Sequence, residues 1–186
     1  MKQDIVIGLK SKTGRAIAVA LSGPPPGFIL REEVALSDSR RPATMQPYHE
    51  VMELPWSESV IAVQPTIEAI EEIATQSLAK LMESIEGRVS RIAIVGPADR
   101  KLERIGNPHI RAHAAEGVLF RRVLEVAAKA NRCRSVSFVD PRDELKRGAA
   151  EIQRVLMKLG KAAGSPWRSE EKSAAMAAWA LLLSSP

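Results

Sequence analysis

Three short apolar runs separated by turn residues fill the first 36 positions, and this feature constrains the fold more than any other. The runs cover residues 4–8, 16–21 and 28–36, and glycine, proline or polar residues separate them. Short apolar runs between turn signals are typical of strands. Consecutive strands joined by short turns pair in an antiparallel manner. The sequence therefore predicts an antiparallel meander of three strands at the start of the chain.

Long helical patterns alternate with two further strand candidates in the rest of the chain. Helices are predicted from Pro65 to Gly87 and from an Asn107 cap to about Asn131, because apolar residues recur there at spacings of three to four. Strands are predicted at 91–95 and 135–139. A helix between two strands implies a parallel crossover. The predicted class is α/β: a mixed five-stranded sheet, antiparallel over its first three strands and parallel beyond, with helices on both faces.

The remaining segments complete a single predicted domain of 186 residues. Two closing helices are expected, one from roughly Pro141 to Gly160 and one from roughly Ser169 to Leu183. Residues 37–65 are expected to form an irregular insertion, since four prolines interrupt them. The apolar stripe of the last helix, which includes Met176 and Trp179, is explained either by core packing or by a homodimer contact.

Composition excludes several classes of protein. A lone Cys133 rules out a disulfide framework and a multi-cysteine zinc site. No apolar run approaches the roughly 18 residues of a membrane helix, and the first residues lack the apolar core of a signal peptide. The sequence therefore predicts a cytoplasmic protein that makes no membrane contact.

Charge is unevenly distributed along the chain. Residues 1–87 carry 8 basic and 12 acidic side chains, whereas residues 88–186 carry 19 basic and 10 acidic ones. A basic half attracts phosphates or acidic partners through its long-range field. The alternative is that these side chains simply solvate the outer faces of helices.

Four stretches of the chain resemble the ribonuclease H-like superfamily, in particular the RuvC type of Holliday junction resolvase. They are the first strand and turn from Ile5 to Gly14, the strand from Arg91 to Gly96, the helix over 112–127 with the strand over 135–139, and the small-residue helix over 170–181. The resemblance implies a ribonuclease H-like fold and a partner of duplex or branched DNA.

The same resemblance implies catalytic carboxylates, but other residues stand at the expected positions of this chain. Nucleases of the family place acids on the first strand, the fourth strand and the last helix, where they hold two divalent metal ions. Here Leu9 or Lys10 occupies the first of these positions, Gly96 or Pro97 the second, and Ser173 the third. We therefore expect a degenerate site with no metal and no cofactor, and no catalytic residue.

Three functions remain open at this stage. The first is a non-catalytic nucleic-acid-binding or scaffold protein. The second is an active Mg²⁺-dependent nuclease with rearranged carboxylates, and the third is a protein-interaction module that binds no nucleic acid. The acids available to the nuclease are Glu32, Glu33, Asp99, Asp140, Glu170 and Glu171.

Basic side chains define the predicted nucleic-acid surface. Guanidinium and ammonium groups pair with phosphate oxygens. Aromatic residues make up only 4% of the chain, so stacking of single-stranded bases is not supported. The predicted contacts are Lys10, Lys12, Arg100, Lys101, Arg104, Arg121 and Arg122.

One further pattern concerns the start of the helix after Asn107. His109, His113 and Glu116 follow a spacing that places them on one helix face, and paired histidines of this kind can chelate zinc. The sequence indicates no further ligand, so the favoured interpretation is two exposed histidines and a Glu116 that pairs with a nearby arginine.

Overall fold

The computed structural model describes residues 4–141, 143 and 148–184. Five strands form one mixed sheet in the order β3-β2-β1-β4-β5. Strand β1 lies at its centre, antiparallel to β2 and parallel to β4. This confirms the predicted mixed sheet. The strands are β1 (Asp4–Lys12), β2 (Arg15–Gly23), β3 (Gly27–Ala35), β4 (Val89–Val95) and β5 (Ser135–Val139).

Five α-helices are described within these residues. Asn107 caps α3 as predicted, since its side-chain oxygen accepts a hydrogen bond from the backbone N–H of Ile110 at 3.0 Å. The helix predicted from Pro141 to Gly160 is helical at Pro141 and Asp143 but is interrupted at Gly148, whose φ is +148°, and α4 begins at Ala149. Residues 142 and 144–147 of that prediction lie outside the described part. The helices are α1 (Trp56–Ala62), α2 (Gln64–Glu83), α3 (Pro108–Ala130), α4 (Ala149–Ala163) and α5 (Ser169–Leu183).

Helices cover both faces of the sheet, because the side chains of β1 alternate between two apolar layers. Ile5, Ile7 and Leu9 pack in the layer that includes α2 and α3. Val6 packs in the opposite layer with α4 and α5. Gly8 shares the face of Val6, and a Cβ atom there would lie 1.8 Å from the carbonyl oxygen of Ala174. A side chain at position 8 would therefore push α5 away from the sheet.

The segment over 37–65 has more structure than its prolines indicated. It contains a short 3-10 helix, Pro42–Thr44, and helix α1. Pro55 immediately precedes the first residue of α1, a place where proline does not interrupt a helix. Tyr48 stacks on Trp56 with ring centroids 5.5 Å apart, and the Arg111 guanidinium of α3 lies 5.3 Å from the Trp56 ring centroid. These contacts hold the segment against the start of α3.

None of the described helices combines the length and apolar character needed to cross a membrane.

Candidate functional site

A cleft of about 210 Å³ opens where β1 ends beside helix α3. Residues 10–13, which form the end of β1 and the turn after it, make one wall. Helix α3 makes the other wall. Three of the predicted basic contacts, Lys10 and Lys12 from β1 and Arg121 from α3, therefore line the same cleft. The side chains from α3 are His113, Glu116, Phe120 and Arg121, together with Gly117.

Lys10 lies near the end of β1 and is, with Leu9, one of the two residues predicted to replace the first carboxylate of the family. Its side chain is half-buried. Burial lowers the pKa of the Lys10 ammonium, the positive charge of Arg121 lowers it further, and the carboxylates of Glu170 and Asp140 oppose the shift. A cation that is partly removed from water and close to a second cation is stabilised by a bound anion.

Arg121 supplies the second cation, at the end of β4. Its Nε donates a hydrogen bond to the carbonyl oxygen of Pro97 at 2.7 Å. Burial lowers the pKa of the Arg121 guanidinium, and the charge of Arg100 lowers it further. The place predicted for a nuclease carboxylate at Gly96 or Pro97 thus has a guanidinium anchored beside it.

Glu170 and Glu171, the two acids retained on the last helix, have local partners. Nζ of Lys12 donates to Oε1 of Glu170 at 2.9 Å. That hydrogen bond is the main reason that the pKa of Glu170 falls to about 2. Glu171 is buried, and its carboxylate accepts a hydrogen bond from the backbone N–H of Arg168 at 2.8 Å. Glu171 therefore holds the first turn of α5, which is a structural role.

Two of the other acids considered for a nuclease, Asp99 and Glu33, have local partners of their own. Asp99 accepts from the backbone N–H of Arg100 at 2.7 Å, and Glu33 pairs with Arg15 at 3.0 Å. Asp140 follows β5 and lies near enough to Lys10 to affect its pKa. Across the described ranges, no three carboxylates come together as a potential metal site. The loss of nuclease activity itself stays a prediction.

The remaining predicted basic residues divide into two groups. Arg100 lies near Arg121, while Lys101 and Arg104 are exposed on the loop after β4. Arg122 lies elsewhere on α3: its guanidinium pairs with Glu125 at 3.0 Å and covers the ring of Phe138 at 5.8 Å. The structure thus brings Lys10, Lys12 and Arg121 together and places Arg122 outside the cleft lining.

Histidine 49 is the functional candidate that the sequence analysis missed. It lies on the 37–65 segment, and its Nδ1 is 2.8 Å from Oε1 of Glu116 on α3. The expectation that Glu116 pairs with an arginine was therefore wrong, because Glu116 is buried against the segment. His49 is 67 positions from Glu116, so no local spacing connects them. The only available signal was that the chain has just three histidines, two of them one helical turn apart.

Comparisons with known proteins reveal similarity in fold. The structure of Thermus thermophilus RuvC in complex with Holliday junction substrate aligns with a TM-score of 0.55 and 12% identity, covering 95% of this chain and 90% of that one. A second Thermus thermophilus RuvC structure aligns with a TM-score of 0.53 and 11% identity, covering 94% and 91%. No protein-family model and no curated protein matches the chain. The chain therefore has the ribonuclease H-like fold of the RuvC type.

Proposed function

We propose that this protein binds the phosphate backbone of duplex or branched DNA and does not act as a carboxylate-dependent nuclease. The observation that carries the proposal is the pair of half-buried cations, Lys10 and Arg121, at the strand ends where nucleases of this fold place acids. Two cations in that position attract a phosphate and repel a divalent metal ion.

The fold supports the choice of ligand. The RuvC structure that aligns with this chain is in complex with a Holliday junction substrate, and the cleft of this chain lies at the carboxyl ends of β1 and β4. Lys12 of the same wall adds a third positive charge, which Glu170 partly offsets. The arrangement suits backbone contacts, which position a protein on DNA without reading its sequence.

Fluorescence anisotropy with duplex and four-way junction DNA at several salt concentrations tests this proposal. Each neutralised phosphate contributes a slope of about −0.9 to the plot of log K against log salt. A Lys10→Gln, Arg121→Gln double variant should therefore flatten the slope by up to about 1.8. The matched control is the double variant Lys80→Gln, Arg88→Gln. These exposed residues lie near the end of α2 and directly before β4, so they are at the amino ends of β1 and β4, away from the cleft. An equal loss in both double variants, or no binding at low salt, would contradict the proposal.

The nuclease alternative has one observation in its favour: Asp140 and Glu170 both lie near Lys10. Incubation of the wild-type protein with linear and branched DNA in Mg²⁺ or Mn²⁺ separates the two functions. We expect intact DNA. Cleavage that is lost in Glu170→Gln but kept in Glu86→Gln, an exposed acid outside the cleft, would establish the nuclease instead.

A cytoplasmic location and a homodimer remain predictions from the sequence. A protein-interaction module is the outcome left if neither DNA binding nor cleavage is measured.

A further inference from the structure

All three histidines of the chain meet at one place, although they come from two separate segments. His109 and His113 lie one turn apart on α3, and His49 lies on the 37–65 segment. Their ring centroids are 4.3 to 5.0 Å apart. One ligand nitrogen from each ring lies within 4.8 Å of the other two. Three imidazoles at such distances form a possible set of metal ligands.

The separations of the three nitrogens can be compared with those of a tetrahedral zinc site. Zinc binds histidine nitrogen at about 2.0–2.1 Å, so two ligands of a tetrahedral site are separated by about 3.3 Å. Nitrogens within 4.8 Å of one another need to approach by about 1.5 Å at most. His109 and His113 are exposed, and exposed side chains can make such an adjustment by rotation.

Glu116 orients the ring of His49 for metal binding. The buried carboxylate accepts hydrogen bonds from the Nδ1 and the backbone N–H of His49, at 2.8 and 3.2 Å. A carboxylate on one ring nitrogen fixes the tautomer, leaving a lone pair on the other nitrogen. Metal-binding histidines commonly have such a carboxylate partner.

The other ring nitrogen of His49 supports metal binding independently of these distances. Its Nε2 atom is buried, and among the described residues it finds no hydrogen-bond partner. A buried polar atom without a partner destabilises the folded chain. A metal ion bound between the three rings would satisfy Nε2 and balance the buried charge of Glu116.

We propose that His49, His109 and His113 bind one divalent transition-metal ion, with Zn²⁺ as the best fit, and that Glu116 positions His49. Imidazole suits zinc, and three protein ligands leave one position for water. His113 and Glu116 also line the cleft that contains Lys10 and Arg121. The metal site therefore borders the cationic cleft but does not depend on its proposed DNA binding.

Competition between the full chain and a chromophoric chelator for Zn²⁺ measures this site, and the visible absorption spectrum of added Co²⁺ reports its geometry. We expect one equivalent of Zn²⁺ to bind and Co²⁺ to give a tetrahedral spectrum. His113→Gln, an exposed substitution that leaves α3 intact, should abolish that spectrum and weaken Zn²⁺ binding by at least about 100-fold. His49→Gln should do the same, with circular dichroism as a check that the chain is folded.

Glu116→Gln distinguishes a positioning role from a general loss of charge. It should weaken Zn²⁺ binding by about 10–100-fold, the range for outer-shell partners of metal ligands. The matched control is Glu50→Gln, an exposed acid next to His49, which should leave the affinity unchanged. Absence of one-to-one binding in the wild type, or an unchanged affinity in His113→Gln, would overturn the proposal.

Discussion

Lys12 and Glu170 join the turn after β1 to the first turn of α5 through a hydrogen bond of 2.9 Å between Nζ and Oε1. The two residues had opposite predicted roles, one as a DNA contact and the other as a nuclease acid. Their pairing means that Glu170 reduces the positive charge of the cleft. It also means that one of the two retained acids of the last helix is bound to a cation of the chain itself.

The first prediction concerns the titration of Glu170. The hydrogen bond from Lys12 holds its pKa at about 2, below the ordinary value of about 4.3 for glutamate. A depressed folded-state pKa contributes stability above the ordinary pKa, and this contribution disappears as pH falls towards about 2. Carbon-13 NMR of the glutamate carboxyls should show Glu170 still ionised at pH 3. In Lys12→Met the pKa of Glu170 should rise towards the ordinary value, although the hydrogen bonds from its own backbone N–H and from Ser169 still lower it. An unchanged pKa in this variant would contradict the assignment.

The second prediction concerns the contact between β1 and α5. A methyl group on Gly8 would lie 1.8 Å from the carbonyl oxygen of Ala174, so Gly8→Ala must move the helix or the strand. We expect the free energy of unfolding to fall by about 3 kcal/mol, at the upper end of overpacking effects. Urea denaturation measures this change. Gly106→Ala is the control, because no atom lies within 4 Å of its added methyl group, and it should change stability by less than about 0.5 kcal/mol.

The third prediction concerns Arg91, which ties the end of α5 to the sheet. Its guanidinium donates to the carbonyl oxygens of Leu181 and Ser184 and to the carboxylate of Asp4. Burial raises the pKa of Asp4, but hydrogen bonds from Ser90 and Arg91 outweigh it and lower the pKa overall. Arg91→Ala should lower the free energy of unfolding by about 2–3 kcal/mol, as for hydrogen bonds to charged groups.

Urea denaturation at neutral pH and at pH 3 tests this contact. Because the pKa of Asp4 is lowered in the folded chain, ionised Asp4 contributes to the free energy of unfolding. This contribution should decrease as pH drops below about 3.9. The loss caused by Arg91→Ala should therefore be smaller at pH 3. Arg88→Ala, an exposed residue three positions away, should have almost no effect at either pH. Equal losses in the two variants would show that the Arg91 contacts do not contribute as described.

The fourth prediction concerns the loop after β4. If Arg100, Lys101 and Arg104 all contact phosphates, their triple alanine variant should flatten the salt dependence of DNA binding by up to about 2.7. The fold should survive, since exposed charges rarely contribute more than about 1 kcal/mol each. Anisotropy titrations over several salt concentrations measure the slope. An unchanged slope would restrict the DNA contacts to the cleft itself.

The order of elements could be predicted from the sequence because it depends on local patterns. Strand β5 was predicted at 135–139 and is Ser135–Val139, since a short apolar run bounded by polar residues has few alternatives. Helix α3 was predicted to run to about Asn131; it ends at Ala130, and Asn131 is its C-cap. Helix α1 was missed, because Pro55 was interpreted as a break although a helix begins directly after it.

The sequence by itself thus determined the mixed sheet and the basic character of the second half, whereas it placed Lys10 in a turn that the structure includes in β1. Periodicity and turn chemistry act over a few residues, so a single chain displays them directly. Only the tertiary structure decided that Lys12 pairs with Glu170, 158 positions away, and that His49 meets His109 and His113. Such contacts depend on how separate elements pack, and no spacing along the chain encodes that packing.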